Sequence, residues 1–121
     1  MFNKNLTFYW LPHCSTCQKA AKYLEQKGYS IATFRDIKSD PLDRREVEQL
    51  IAKVGGPTEL FSRRARKYRE LNLSERDLSR DELVKLMAEE YTFIKRPVLV
   101  NGDRAIAGFS PKSYDKFLGE K

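Results

Sequence analysis

The stretch Leu6-Thr7-Phe8-Tyr9-Trp10-Leu11-Pro12-His13-Cys14-Ser15-Thr16-Cys17-Gln18-Lys19-Ala20 decides how the rest of the chain is read. Leu6 to Trp10 is β-branched and aromatic, which predicts a strand. Beyond it, Cys17, Ala20, Ala21 and Leu24 recur at i, i+3, i+4 and i+7, the apolar stripe of a helix. Gly28 then stops that helix. The two cysteines therefore fall where a strand turns into a helix, Cys14 at the exposed mouth and Cys17 on the inward stripe.

That placement points to thiol chemistry. A thiolate is the nucleophile, and a helix N-terminus favours it with unpaired N–H groups and a partial positive charge. His13 and Lys19 add positive or potentially positive neighbours. Cys14 is the candidate attacking thiol, and Cys17 the candidate resolving thiol that closes a Cys14–Cys17 disulfide. Near a βαβ pattern, C-x-x-C reads as a thioredoxin-like redox motif. Three other readings compete. A closed zinc site needs about four ligands, and the chain has two cysteines and one histidine, so no metal site is expected. Inert core cysteines do not suit the exposed mouth of a helix. A structural disulfide here would close too short a loop to constrain the unfolded chain.

Working outward, the 121 residues are expected to form a single domain over 1–121. No apolar leader or membrane-length stretch occurs, so the expectation is a cytoplasmic protein in which a disulfide is transient. Lys and Arg number 23 against 17 Asp and Glu, a formal charge of +6. Anionic partners are favoured, but the basic residues are spread out and no motif reads nucleic acid, so a solvated basic surface is the simpler account.

Tyr29 to Arg35 predicts a second strand, completing a βαβ unit with parallel strands and a right-handed crossover. Asp40 as N-cap and Pro41 at the first position predict a helix with Val47, Leu50, Ile51 and Val54 inward, ended by Gly55-Gly56. Pro57-Thr58 starts a further turn or helix with Phe61, Ala65 and Tyr68 inward, after which Leu71 and Leu73 are expected to pack the following loop. Ser79-Arg80-Asp81-Glu82 has capping-box form, leading to Leu83, Leu86, Met87 and Tyr91. The last third changes period. Val98 to Val100, Asn101-Gly102 and Asp103 to Ala107 predict a hairpin with the turn at Asn-Gly. Ser110-Pro111 then caps a short final helix carrying Tyr114, Phe117 and Leu118. The order βαβ then ββα gives an α/β, thioredoxin-like fold: a mixed four-stranded sheet with helices packed on it, carrying a helical insertion over about residues 41–92.

With those elements in place, Pro12 to Ala20, the Ser62-Arg63-Arg64 region and Lys95-Arg96-Pro97-Val98 together resemble the arsenate reductase-like branch of the thioredoxin superfamily. That branch contains glutaredoxin-linked arsenate reductases, thiol proteins and Spx-type redox regulators of RNA polymerase. The resemblance implies that Pro97 is a cis proline facing the cysteine loop, and that Arg96 and Arg64 approach Cys14. Guanidinium groups there would stabilise a thiolate and hold an oxyanion or carboxylate. It also implies a weaker partner-binding role for Gly56, which is equally explained as a helix stop.

Trp10, Gln18 and Gly108 stand where arsenate-reducing members tend to have a histidine and two arginines, and the second cysteine is a further departure. The reading is therefore an arsenate reductase-like thiol–disulfide oxidoreductase with a CxxC centre, needing no cofactor beyond glutathione as a candidate co-substrate. Glutaredoxin or thioredoxin are the candidate protein partners. One alternative is an Spx-type redox-sensing regulator that docks on the RNA polymerase α subunit, through Gly55, Gly56 and the basic Arg63–Lys67 segment. The other is glutaredoxin-dependent arsenate reduction.

Overall fold

In the computed structural model, which describes residues 2–119, β1 (Phe2–Trp10), α1 (Ser15–Gln26) and β2 (Tyr29–Asp36) form the βαβ unit. Then come α2 (Arg44–Val54), α3 (Pro57–Leu60), α4 (Arg66–Glu70) and α5 (Arg80–Glu89), and finally β3 (Val98–Asn101), β4 (Arg104–Ala107) and α6 (Pro111–Phe117). Short 3-10 turns occupy Leu73–Glu75 and Tyr91–Phe93. No helix among the described residues is long and apolar enough to cross a membrane. The chain divides into two compact units, one of residues 1–40 and 96–121 and the other of residues 41–95.

The first unit is a four-stranded mixed sheet in the order β2-β1-β3-β4. β1 runs parallel to β2 and antiparallel to β3, and β3 antiparallel to β4. Leu6 and Phe8 of β1, Ala20 and Leu24 of α1, Leu99 of β3, and Tyr114 and Leu118 at the C-terminal end form one buried cluster. Alternation along β1 puts Leu6 and Phe8 on this face. Trp10 packs against the cluster from the strand's end, its ring 4.8 Å from that of Phe34, which is exposed on β2. The turn after β2 is closed by Asp36, whose carboxylate accepts the Lys38 N–H at 2.9 Å and is thereby held below the usual carboxylate range. α6 starts as expected, with Ser110 as N-cap and Pro111 in the first turn.

The hairpin differs from expectation by one residue. Asn101 pairs with Arg104 as well as with Leu6, so the turn is Gly102-Asp103 and not Asn101-Gly102. Only Gly102 has positive φ there (65°), which fits a Gly-first type II′ turn in place of the Asn-Gly type I′.

The second unit is helical. Its first helix starts at Asp43, not Asp40. The Asp43 carboxylate accepts the Glu46 N–H at 2.8 Å while Glu46 accepts the Asp43 N–H at 3.2 Å. This reciprocal box satisfies two helix-end donors, and a start at Asp40 offers no such pair. Leu42 is buried ahead of it. Val47, Leu50 and Ile51 are buried as expected, with Val54 only partly covered, and Gly55 ends the helix at φ 100°. The stripe Phe61, Ala65, Tyr68 does not lie on one helix. Phe61 bridges to Ile94, the Ser62 N–H donates to the Phe93 carbonyl, and the Lys95 N–H to the Leu60 carbonyl at 2.8 Å. Those long-range bonds pull residues 61–65 out of helical geometry, with Phe61 stacked on Phe93 at 5.3 Å. Leu71 does not pack the loop as expected but is 52% exposed, whereas Leu73 is buried. The Ser79–Glu82 capping box forms as expected, holding the Glu82 carboxylate below its ordinary range and opening α5 with Leu83, Val84 and Met87 buried. Leu86 is half-buried, and Tyr91 falls in a 3-10 turn beyond that helix.

Candidate active site at the start of the first helix

β1 delivers the chain into a tight loop, where the Cys14 N–H donates to the Leu11 carbonyl at 3.0 Å and the Gln18 side-chain amide to the Pro12 carbonyl at 2.8 Å. Cys14 is the N-cap of α1, in extended conformation (φ −84°, ψ 122°), and its sulfur takes the place of the usual cap oxygen. The Cys17 N–H donates to Cys14 Sγ at 3.4 Å. The open helix end and this N–H both aim partial positive charge at that sulfur. Cys14 is partly exposed, Cys17 is 0% exposed one turn inside, and both are free thiols. His13 and Lys19 are exposed on either side.

The environment of Cys17 is the opposite of a reactive one. Burial first, and with it the adjacent Cys14 sulfur, push its thiol up to about 12 against the opposing Leu11 backbone N–H and Arg96 guanidinium. Cys17 is therefore a protonated thiol at neutral pH. Part of its resistance to ionisation comes from Cys14, so capping Cys14 sulfur in a mixed disulfide weakens that part.

Sheet register explains why Arg96 is here. β1 and β3 are antiparallel with Tyr9 opposite Val98, so the residues just before Val98 lie alongside those just after Tyr9. Arg96-Pro97 thus arrives beside the cysteine loop. The Arg96–Pro97 bond is cis, and the Pro97 carbonyl accepts the Gly108 N–H at 2.7 Å. Arg96 is half-buried, with its Nε fully covered, and its charge acts on the Cys17 sulfur.

The remaining sequence candidates belong to the second unit. Arg64 is exposed in the turn between α3 and α4, its N–H donating to Ser62 Oγ at 3.3 Å. Gly56 precedes α3 at φ 148°, a conformation that accounts for glycine without any partner. A shallow hollow between α1 and β2, lined by Ala21, Lys22, Ile31 and Phe34 among others, includes neither cysteine. Sequence reasoning missed Tyr114. It is fully buried on α6, its hydroxyl has no hydrogen-bond partner among the described residues, and burial is the main cause that raises its pKa. A tyrosine on an apolar stripe gives no local sign of this.

Residues 9–117 match the ArsC family. The chain belongs to that family. The uncharacterised protein YusI of Bacillus subtilis is 37% identical over 115 residues, spanning 93% of this chain and 97% of its own. The global transcriptional regulator Spx 1 of Bacillus cereus is 29% identical over 93% of this chain and 86% of its own. Among solved structures, the arsenate reductase from Vibrio cholerae superposes with a TM-score of 0.83 at 25% identity, covering 98% of this chain and 99% of that one. The ArsC-family thiol oxidoreductase fold is thus shared between proteins named as regulators and proteins named as reductases.

Proposed function

We propose that this ArsC-family chain is a thiol–disulfide oxidoreductase in which Cys14 attacks and Cys17 resolves. The observation that carries the reading is the pairing of a half-exposed helix-cap sulfur with a fully buried protonated thiol whose own N–H bonds to it. The Cys14 thiolate attacks a disulfide RS–SR, forming Cys14–S–SR and releasing one thiolate, which takes a proton from water. Cys17 then loses its proton to solvent or to the departing thiolate and attacks Cys14 Sγ. The Cys14–Cys17 bond forms, the bond to SR breaks, and the second thiol leaves. An external thiol such as glutathione, or a glutaredoxin or thioredoxin, returns the pair to the dithiol. Arg96 holds the anionic portion of the substrate, and Pro97 lines the approach to the cysteine loop. A reducing cytoplasm suits such a transient bond.

Reduced protein mixed with glutathione disulfide tests this by mass spectrometry. The wild type is expected to gain an internal disulfide, Cys17→Ser to stop at a glutathione adduct on Cys14, and Cys14→Ser to form neither. Equal adduct formation by the two variants would overturn the assignment of roles.

A second reading, an Spx-type redox switch, is supported by the similarity to Spx 1 and by the exposed cations Arg63, Arg64, Arg66 and Lys67 near Gly55 and Gly56 in the sequence. It predicts redox-dependent capture of the RNA polymerase α subunit without turnover, and capture in neither redox state would remove it. Arsenate reduction is the third. Trp10, Gln18 and Gly108 leave the charge set of that reaction incomplete, so little arsenite is expected with glutathione and glutaredoxin present.

A further inference from the structure

Resting on the oxidoreductase reading, we infer that Gln18 is a positioning residue for Cys14: its side-chain amide clamps the Pro12 carbonyl and so holds the Cys14 sulfur in line for attack by Cys17. Gln18 makes two bonds that bracket the cysteine. Its backbone N–H donates to the Cys14 carbonyl at 2.9 Å, and its side-chain amide donates to the Pro12 carbonyl, two residues ahead of Cys14, at 2.8 Å. The Cys14 N–H donates to the Leu11 carbonyl at 3.0 Å, and the Cys14 sulfur accepts the Cys17 N–H at 3.4 Å. Each polar atom of Cys14 is thus tied, and the Gln18 side chain closes the ring around it.

The bond between Cys14 and Leu11 closes a β-turn with Pro12 and His13 at its centre. Such a turn has two common forms that differ by rotation of the peptide between the central residues, and proline suits the first central position in both. His13 keeps a negative φ, which fits type I and excludes type II. The Pro12 carbonyl belongs to the peptide that would rotate, so a donor on it selects the form. That donor is a side chain of α1, and the loop ahead of Cys14 is thereby keyed to the helix that carries Cys17.

Resolution is the step that needs this. The Cys17 thiolate attacks Cys14 Sγ, the bond from Cys14 to glutathione breaks, and glutathione leaves as a thiolate that takes up a proton. Three sulfurs must line up. Cys17 is fully buried on α1 and moves only with that helix. The alignment therefore has to come from Cys14, which stands at the cap with extended φ and ψ outside the helical ladder. A loop held in one turn form supplies it before the reaction starts. Gln18 itself is exposed, so replacing it opens no cavity.

The experiment is rapid-quench mass spectrometry of reduced protein in excess glutathione disulfide. Adduct formation rises with disulfide concentration and resolution does not, which separates the two rates. Gln18→Met keeps the side-chain length without an N–H, and its adduct is expected to resolve about fivefold more slowly, the effect of one neutral hydrogen bond. Gln18→Arg restores N–H donors and is expected to return resolution to the wild-type rate, read in 1 M salt, where charges reach only about 3 Å. Adduct formation needs no second sulfur and serves as the internal reference. Equal resolution by wild type and Gln18→Met, slow resolution in Gln18→Arg as well, or equal slowing of both steps would each overturn the inference while leaving the oxidoreductase reading intact. Failure of the wild type to resolve its adduct at all would overturn both.

Discussion

The two units of the chain are held together by different means. In the first, a mixed sheet ties Phe2–Trp10 to the distant Val98–Ala107, and one cluster gathers buried side chains from three strands and two helices. In the second, short helices are held by capping boxes at Asp43 and Ser79, by surface pairs such as Arg80–Glu48 at 2.6 Å, and by a single bridge at Phe61–Ile94. Exposed pairs of that kind contribute little each. The cysteines sit in the unit built from long-range pairing, which suits chemistry that depends on a fixed sulfur position. Arg63, Arg64 and Arg66 sit exposed in the other.

The largest test of that contrast is a cavity in each unit. Leu99→Ala, emptying a site with 0% exposure, is expected to cost about 3 kcal/mol in urea unfolding. Val47→Ala in the second unit removes fewer atoms and is expected to cost about half as much. A larger loss from Val47 would reverse the ranking of the two cores. Next in size, Ser79→Ala is expected to cost about 1 kcal/mol. Amide exchange should quicken along α5 with no change in β1 and β3, and equal quickening in both units would mean that they open together.

A smaller effect separates the units by pH. Cys17 has its thiol raised from 9.0 to about 12 in the folded chain. The contribution is complete below pH 9.0 and is lost as pH rises toward 12, because the unfolded chain ionises first. Tyr23 and Tyr114 are raised as well and act in the same direction. The alkaline fall in stability should therefore become shallower, not vanish, in Cys17→Ala, and an unchanged slope would contradict the burial argument.

The smallest effect lies in the second unit at acid pH. The Glu82 carboxylate is held below 4.5 by the Ser79 N–H and then by Arg76. Its contribution is present above pH 4.5 and disappears as pH falls through the lower folded value. Glu82→Gln should flatten this part of the acid limb, measured by thermal melts from pH 5 to 2.

Much of the fold was legible because local signals agreed with global pairing. Leu6–Trp10, the Cys17–Leu24 stripe, the Ser79 box and Ser110-Pro111 each carry periodicity or a cap that needs no distant partner. Errors arose where two local signals competed. Asn101-Gly102 and Gly102-Asp103 both suit tight hairpins, and the pairing of Asn101 with Leu6 on β1 selected the second. Asp40-Pro41 and Asp43…Glu46 both open helices, and the box with two satisfied donors prevailed. The helical stripe through Phe61 was overridden by backbone bonds to residues beyond 90, which local spacing does not encode. At the site, the cysteines could be read from the strand-to-helix junction alone. Tyr114 could not, because nothing about an aromatic on an apolar face distinguishes a satisfied hydroxyl from an orphaned one.

Trp10 is the sole tryptophan. It ends β1, lies four residues before Cys14 and has Phe34 at 4.8 Å. The chain thereby carries its own optical probe at the entrance to the reactive loop. Intrinsic fluorescence, read without any label, can follow sulfur chemistry at position 14 in real time against a background that no second indole contaminates.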